Sequence, residues 1–238
     1  MRNRTIMPLV AALAMLPGIA NAQALVCRPP ANPPAPRPDL PTASEPKRVL
    51  PIGGYTLALT WNPGYCRAHG REASARFQCG GDARFGFTLH GLWPDGVGKQ
   101  WPQYCARAAI VPPAVLRETM CATPSAQLVQ HEWAKHGTCT GLDMRQYFGK
   151  ARSLYHAIRF PDMAALSRRP LTVGRFKTAF ATANPGIPAT SLRVTTTRQN
   201  WLDELWLCLD ARLRYVRCRA GTGGAPDGAA LRIWRGRR

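Results

Sequence analysis

Two short segments hold residue types able to move protons and hold phosphate. The first is Phe87-Thr88-Leu89-His90-Gly91-Leu92-Trp93-Pro94-Asp95. The second is His131-Glu132-Trp133-Ala134-Lys135-His136-Gly137-Thr138-Cys139. On a helix His131 lies under Lys135 and Glu132 under His136, each at a spacing of four. The four polar side chains then form one broad face, with Trp133 turned into the core. A lone histidine is more often hydrogen-bonded structure than a catalyst, and a charged helix face is more often solvated. Two histidines, a lysine and a glutamate in one helical segment argue for more.

One chemistry suits this set without a metal: cleavage of a phosphodiester by its neighbouring 2′-hydroxyl. One imidazole removes the hydroxyl proton and another protonates the leaving 5′ oxygen. A cation and a further proton donor steady the phosphorane-like transition state. Histidine titrates near ~6.5, so a neutral and a charged imidazole coexist on the acid side of neutrality. Zinc hydrolysis is the competing chemistry, because His-Glu-x-x-His is a metalloprotease signature. Here Lys135 fills the fourth position and the second histidine comes one residue later. That spacing sets the imidazoles about 140° apart around an α-helix. The expectation is no shared metal and no cofactor.

The surrounding pattern has to position these groups. Residues 55–61 and 84–90 are short runs rich in Leu, Phe, Tyr and Thr, bounded by Gly and Pro, and read as strands. His90 then faces away from Phe85, Phe87 and Leu89, at a strand mouth closed by Gly91 and Pro94. Residues 127–135 read as helix, with Gly137 placed to end it. Met144, Tyr147, Phe148, Ala151, Leu154, Tyr155 and Ile158 recur at helical steps, and Val173, Phe176 and Phe180 repeat the pattern up to Asn184 and Pro185. Residues 202–209 and 213–219 read as a hairpin. Helices in the middle with strands at both ends give an α+β class.

The chain has 238 residues, 45% of them hydrophobic, enough for a real core and against wholesale disorder. Its formal charge of +19 marks polyanions as partners. Residues 1–22 read as a secretory signal peptide: Arg2 and Arg4, an apolar run from Leu9 to Leu16, then Ala20-Asn21-Ala22. Losing Arg2 and Arg4 leaves +17, so the basic character belongs to the exported protein. No later segment approaches the ~20 apolar residues needed to span a bilayer. The protein is expected in the periplasm or outside the cell, as a monomer with no membrane partner.

All eight cysteines follow the cleavage site, and an even number in an exported chain implies disulfides. Spacing alone does not choose among the pairings, and no Cys-x-x-Cys pair offers a zinc cluster. Residues 23–51 form a Pro-rich arm, with nine prolines between Arg28 and Pro51 and almost no periodicity; it is expected to be an extended spacer without chemistry. Residues 221–238, rich in Gly, Ala and Arg, are expected to be a mobile basic tail. One globular domain, residues 52–220, lies between.

His90-Gly91-Leu92-Trp93-Pro94 and the segment from His131 to Cys139 resemble the two active-site segments of the T2-type ribonucleases. Leu57-Ala58-Leu59-Thr60-Trp61-Asn62-Pro63-Gly64-Tyr65-Cys66, Trp101-Pro102-Gln103-Tyr104-Cys105, Tyr147-Phe148 and Leu205-Trp206-Leu207-Cys208-Leu209-Asp210 also match family positions. The resemblance covers most of the globular domain. It implies a central antiparallel sheet packed with several helices, and an enzyme of low base specificity that cleaves single-stranded RNA. His136 and His90 take the positions of the acid–base pair, with His136 as the base for cyclisation. Glu132 and Lys135 would stabilise the transition state, and His131 would help hold the phosphate. Trp93, Asp95 and Trp101 fall where a base pocket is expected. Asn62 stands beside the second base pocket where many members carry Gln, a departure that bears on dinucleotide preference. The resemblance pairs Cys105 with Cys139, Cys66 with Cys79 and Cys208 with Cys218, and leaves Cys27 with Cys121. A nucleic-acid-binding protein on an inactive nuclease scaffold is the alternative; it accounts for the charge and the tryptophans but not for a full catalytic set.

Overall fold

The computed structural model describes residues 24–81 and 83–236. The signal peptide assigned to residues 1–22 lies outside the described residues, as do the last two arginines. Strand β1 (Ala24–Val26) is followed by the Pro-rich arm, then β2 (Ile52–Trp61), α1 (Asn62–His69) and α2 (Arg76–Cys79). Next come β3 (Arg84–Phe85), β4 (Phe87–Gly96), α3 (Pro113–Thr119), α4 (Ala126–Lys135), α5 (Met144–Ala157), α6 (Met163–Leu166) and α7 (Val173–Ala183). Strands β5 (Leu192–Thr196) and β6 (Leu202–Asp210) complete the set. The main sheet is antiparallel in the order β4-β2-β6-β5, and β1 pairs with β3 in a small second sheet. The expected α+β class with a central antiparallel sheet is what the chain adopts.

Alternation along the strands sends Leu57, Leu59 and Trp61, Phe87 and Leu89, and Leu205, Leu207 and Leu209 to one face. There they meet Tyr147, Phe148, Ala151 and Tyr155 of α5 and Val173, Phe176 and Phe180 of α7. Helix α5 begins with a capping box between Asp143 and Gln146, and α4 with Ser125 accepting from the Leu128 amide. Strand β4 is an edge, and its free side is covered rather than left open. The Leu89 amide donates to the Ala122 carbonyl, Thr123 Oγ1 to the Leu89 carbonyl, Tyr147 to the Leu92 carbonyl and Tyr155 to the Phe87 carbonyl. These bonds fix the α3–α4 connection and α5 against β4, which brings α4 beside His90.

Several expectations change. Strand β4 does not stop at His90 but runs on to Gly96. Ala58 pairs with Gly91 and Leu59 with Leu89, so His90 is the extra residue of a β-bulge with no cross-strand partner. The second arm of the expected hairpin, residues 213–219, forms no continuous strand: it meets β6 through a bridge between Leu209 and Tyr215, the Val216 amide donating to the Cys208 carbonyl, and the Cys208–Cys218 disulfide. Residues 62–69 form α1, with Pro63 in its first turn, where a missing N–H costs nothing. The segment expected to be a mobile tail is packed. Leu231 and Ile233 enter the core, Leu231 donates to the Leu171 carbonyl, and the Trp61 indole donates to the Trp234 carbonyl. Two apolar side chains flanking Arg232 are enough to hold the segment down despite its charge.

The Pro-rich arm is not a free spacer. It lies along α4 and pairs through Arg48 with Gln103. The four disulfides are Cys27–Cys121, Cys66–Cys79, Cys105–Cys139 and Cys208–Cys218. The first pins the start of the arm to the turn before α4. The third joins the loop after β4 to the turn after α4, and so ties together the two chemically important segments.

Candidate active site

The site forms where the β4 bulge faces the C-terminal turn of α4. His90 projects to the sheet face away from the core, next to Glu204 and Trp206 of β6. Its Nδ1 donates to Glu204 Oε1 at 2.5 Å, and its Nε2 lies 3.6 Å from Glu132 Oε1. Glu204 is held in turn by Thr60 Oγ1 at 3.0 Å and the Trp206 indole at 2.8 Å. Burial pushes the His90 imidazole towards neutrality, but the bond from Glu204 and the charges of Glu132 and Glu204 win, and its pKa is raised. His90 therefore favours the charged form.

His136 is set the opposite way. It caps α4, is 5% exposed, and its Nδ1 is buried with no hydrogen-bond partner among the described residues. Burial, then the charges of Lys135, His131 and His90, push its pKa well below the ordinary value. Among the described residues no carboxylate bonds to its Nδ1 as Glu204 bonds to that of His90.

Glu132 lies between them, 1% exposed, with its Oε2 accepting from the Trp93 indole at 3.0 Å. Burial raises its carboxyl to about 7, against the pull of His90, Trp93 and Lys135. It is therefore poised to donate or accept a proton near neutrality. Gly91 makes its position possible, because a Cβ there would stand 1.7 Å from Glu132 Oε2.

The four polar residues of α4 do not share one face. Glu132 and His136 look towards β4, while Gln127, His131 and Lys135, at successive steps of four, look towards the Pro-rich arm. His131 Nδ1 donates to Asp39 at 2.6 Å and Lys135 Nζ to Glu45 at 2.5 Å. The two stripes adjoin, with the His131 and His136 rings 6.3 Å apart. Burial lowers the His131 pKa, with Lys135 adding to it and Asp39 opposing.

The helical angle used to exclude a shared metal does not hold. His136 has left the helix as its C-cap, and ligand atoms of His131, Glu132 and His136 come within 4.8 Å of one another. A cation there would meet the Lys135 ammonium, which acts on all three residues.

Of the expected base-pocket residues, Trp93 is part of the catalytic cluster itself. It packs its edge against His90 at 5.0 Å and stacks on His136 at 5.6 Å, so it spaces the two imidazoles. Asp95 accepts from Thr56 at 2.8 Å, and burial raises its pKa. Trp101 is 47% exposed, with the Arg48 guanidinium over its ring. Asn62 is not at a ligand surface: it is 4% exposed and bonded to Gln78. Glu204 was missed in the sequence. Its signal is faint, a carboxylate beside Asp203 at the start of a leucine-rich strand.

The Ribonuclease T2 family model matches residues 52–218. A probable ribonuclease of Haemophilus influenzae is 31% identical over 181 residues, spanning 71% of this chain and 62% of that protein. A ribonuclease of Aeromonas hydrophila is 33% identical over 162 residues, spanning 66% of this chain and 71% of its own. Among solved structures, RNase NT in complex with 5′-AMP superposes with a TM-score of 0.60 at 20% identity, over 77% of this chain and 98% of its own. Trichomaglin, described as an S-like ribonuclease, gives 0.61 at 19% identity, over 76% and 97%. These two share the fold.

Proposed function

Since the chain belongs to the ribonuclease T2 family, we propose that it is an exported, metal-independent endoribonuclease that cleaves single-stranded RNA by transphosphorylation. His136, held neutral, takes the proton of the 2′-hydroxyl. The 2′ oxygen attacks phosphorus, and the bond to the 5′ oxygen breaks as His90 delivers its proton to that leaving group. The product is a 2′,3′-cyclic phosphate. Water then opens it more slowly to a 3′-phosphate, with the two histidines exchanging roles. Glu132 in its protonated form and the Lys135 ammonium face the charge that develops on the phosphoryl oxygens. Four disulfides fit the oxidising compartment that export implies. RNA is the partner, and the chain is taken to act as a monomer.

The observation that carries this reading is the opposite setting of the two imidazoles, one backed by a carboxylate and one by cations. The decisive experiment uses a short labelled RNA in excess EDTA beside a copy with one 2′-deoxy nucleotide. Cyclic-phosphate ends by mass spectrometry, with the deoxy linkage spared, are expected. Cleavage at the deoxy linkage, or loss of activity in EDTA, would exclude the mechanism. Binding of RNA without turnover would favour an inactive scaffold.

Glu204 is the positioning residue of this mechanism, since it fixes which His90 nitrogen carries the reacting proton. Glu204→Gln removes the charge that opposes burial, so the His90 pKa falls. The basic limb of the pH–rate profile, set by loss of the His90 proton, is expected to move to lower pH. The maximal rate falls about tenfold, part of the roughly 10²–10⁴ that general acid–base catalysis supplies. An unshifted basic limb would show that Glu204 is structural only.

A further inference from the structure

The Pro-rich arm meets two residues of the α4 cluster and, further along, the expected base-pocket residue Trp101. Asp39 accepts from His131 at 2.6 Å and Glu45 from Lys135 at 2.5 Å, so the imidazole and the ammonium that face the arm on α4 each carry a carboxylate. Further along, the Arg48 guanidinium lies 4.9 Å from the ring centre of Trp101, the exposed tryptophan available to a base. Two anions on the phosphate-gripping groups and a flat cation on an aromatic ring follow the chemical pattern of a bound nucleotide chain.

The arm is placed by backbone pairing between Arg48 and Gln103, while its contacts with His131, Lys135 and Trp101 are made by side chains alone. The turn at Thr42–Glu45 is closed by the Thr42 amide donating to the Glu45 carbonyl, and by Thr42 Oγ1 accepting from the Glu45 amide. Nine prolines stiffen the segment, so little chain entropy is lost on docking. Apolar burial contributes little, since Leu40 is 66% and Val49 67% exposed. The contacts are mainly polar, and partly exposed ion pairs are individually weak and screened by salt. Both ends are anchored, at Cys27–Cys121 and at β2, so a displaced arm stays close at high effective concentration.

We propose that the arm is a tethered substrate mimic: Asp39, Glu45 and Arg48 occupy the phosphate and base positions of the site, and RNA enters by displacing them. The proposal rests on the reading of the site as a ribonuclease centre. A polyanion drawn to this basic surface displaces several weak contacts at once, whereas a small anion competes with the carboxylates one at a time.

The test compares the wild type with Asp39→Asn, Glu45→Gln and the double variant at one ionic strength. The control pair Glu118→Gln with Asp227→Asn removes the same charge from ion pairs on Arg145 and Lys177. Calorimetric titration with inorganic phosphate reads occupancy of the site without requiring activity, and KM for a dinucleoside monophosphate reads it under turnover. The double variant is expected to bind phosphate about tenfold more tightly and to lower KM similarly, with kcat unchanged and each single variant giving a few-fold. The control pair is expected to change neither. Unchanged phosphate binding, a raised KM, or an equal gain in the control pair would overturn the proposal. If no form cleaves RNA, the functional reading falls, and the phosphate titration still decides whether the arm occupies an anion site. Thermal unfolding reports whether each variant folds; if the double variant does not, the single variants decide.

Discussion

His136→Ala is expected to lower kcat/KM for RNA by about 10³-fold and also to lower the unfolding midpoint, because removing a ring that is 5% exposed leaves a cavity. Its Nδ1 has no bonding partner among the described residues, so no hydrogen bond is lost at that nitrogen. Its structural part is the stack on Trp93, which survives in part through the contacts of Trp93 with His90 and Glu132. His90→Ala goes further: it also leaves Glu204 buried beside a cavity without its cationic partner, so its stability falls by the unpaired carboxylate as well as by the lost packing. A His136→Ala protein within tenfold of the wild type would remove His136 from the proton-transfer step. Assay of both variants with their unfolding midpoints separates the two roles.

Gly91→Ala is expected to lower kcat/KM by about 10²-fold, the scale of displacing a catalytic group by roughly 1 Å. The cause is space. The added carbon would stand 1.7 Å from Glu132 Oε2, 2.4 Å from Glu132 Cδ and 2.8 Å from the Trp93 indole nitrogen. The Glu132 carboxyl must swing away, losing the Trp93 bond and its place beside His90. A double-mutant cycle checks the route, because once Glu132 is truncated only the Trp93 indole is left for the methyl group to displace. Gly91→Ala should therefore cost much less in the Glu132→Ala background than in the wild type. Additive losses would place the effect in the backbone of β4.

The residues of the proposed catalytic set were readable from the sequence because their chemistry is rare in combination. His90, Glu132, Lys135 and His136 stand in two compact segments, and their types alone suggested two-histidine transphosphorylation. What the sequence hid is long-range pairing. Glu204 is 114 residues from His90 and sits among leucines that read as plain strand. Asp39 and Glu45 are 92 and 90 residues from the groups they hold, in a stretch whose prolines erase periodicity. Helix α1 carries little helical signal because Pro63 and Gly64 are poor helix formers, although proline suits a first helical turn. The packing of Leu231 and Ile233 was hidden because two apolar positions are too few to make a pattern. The long helices α5 and α7 were found because three or more turns of apolar spacing leave little ambiguity.

The extra residue in β4 also changes how the strand counts. Leu89 and Leu92 both reach the core although they are three apart, an odd step that a regular strand would split between its two sides. The ladder before His90 and the ladder after it are therefore in opposite phase, and His90 is where the phase changes. Deleting that one residue would rejoin the two halves as an unbroken ladder, with Leu89 and Leu92 still on the core face and no imidazole opposite them. The ladder takes no pairing from His90, so its register would be simpler without the residue that the proposed mechanism uses. Transplanting the motif onto a regular strand would have to carry this change of parity with it, or the histidine would arrive on a strand whose later leucines face water.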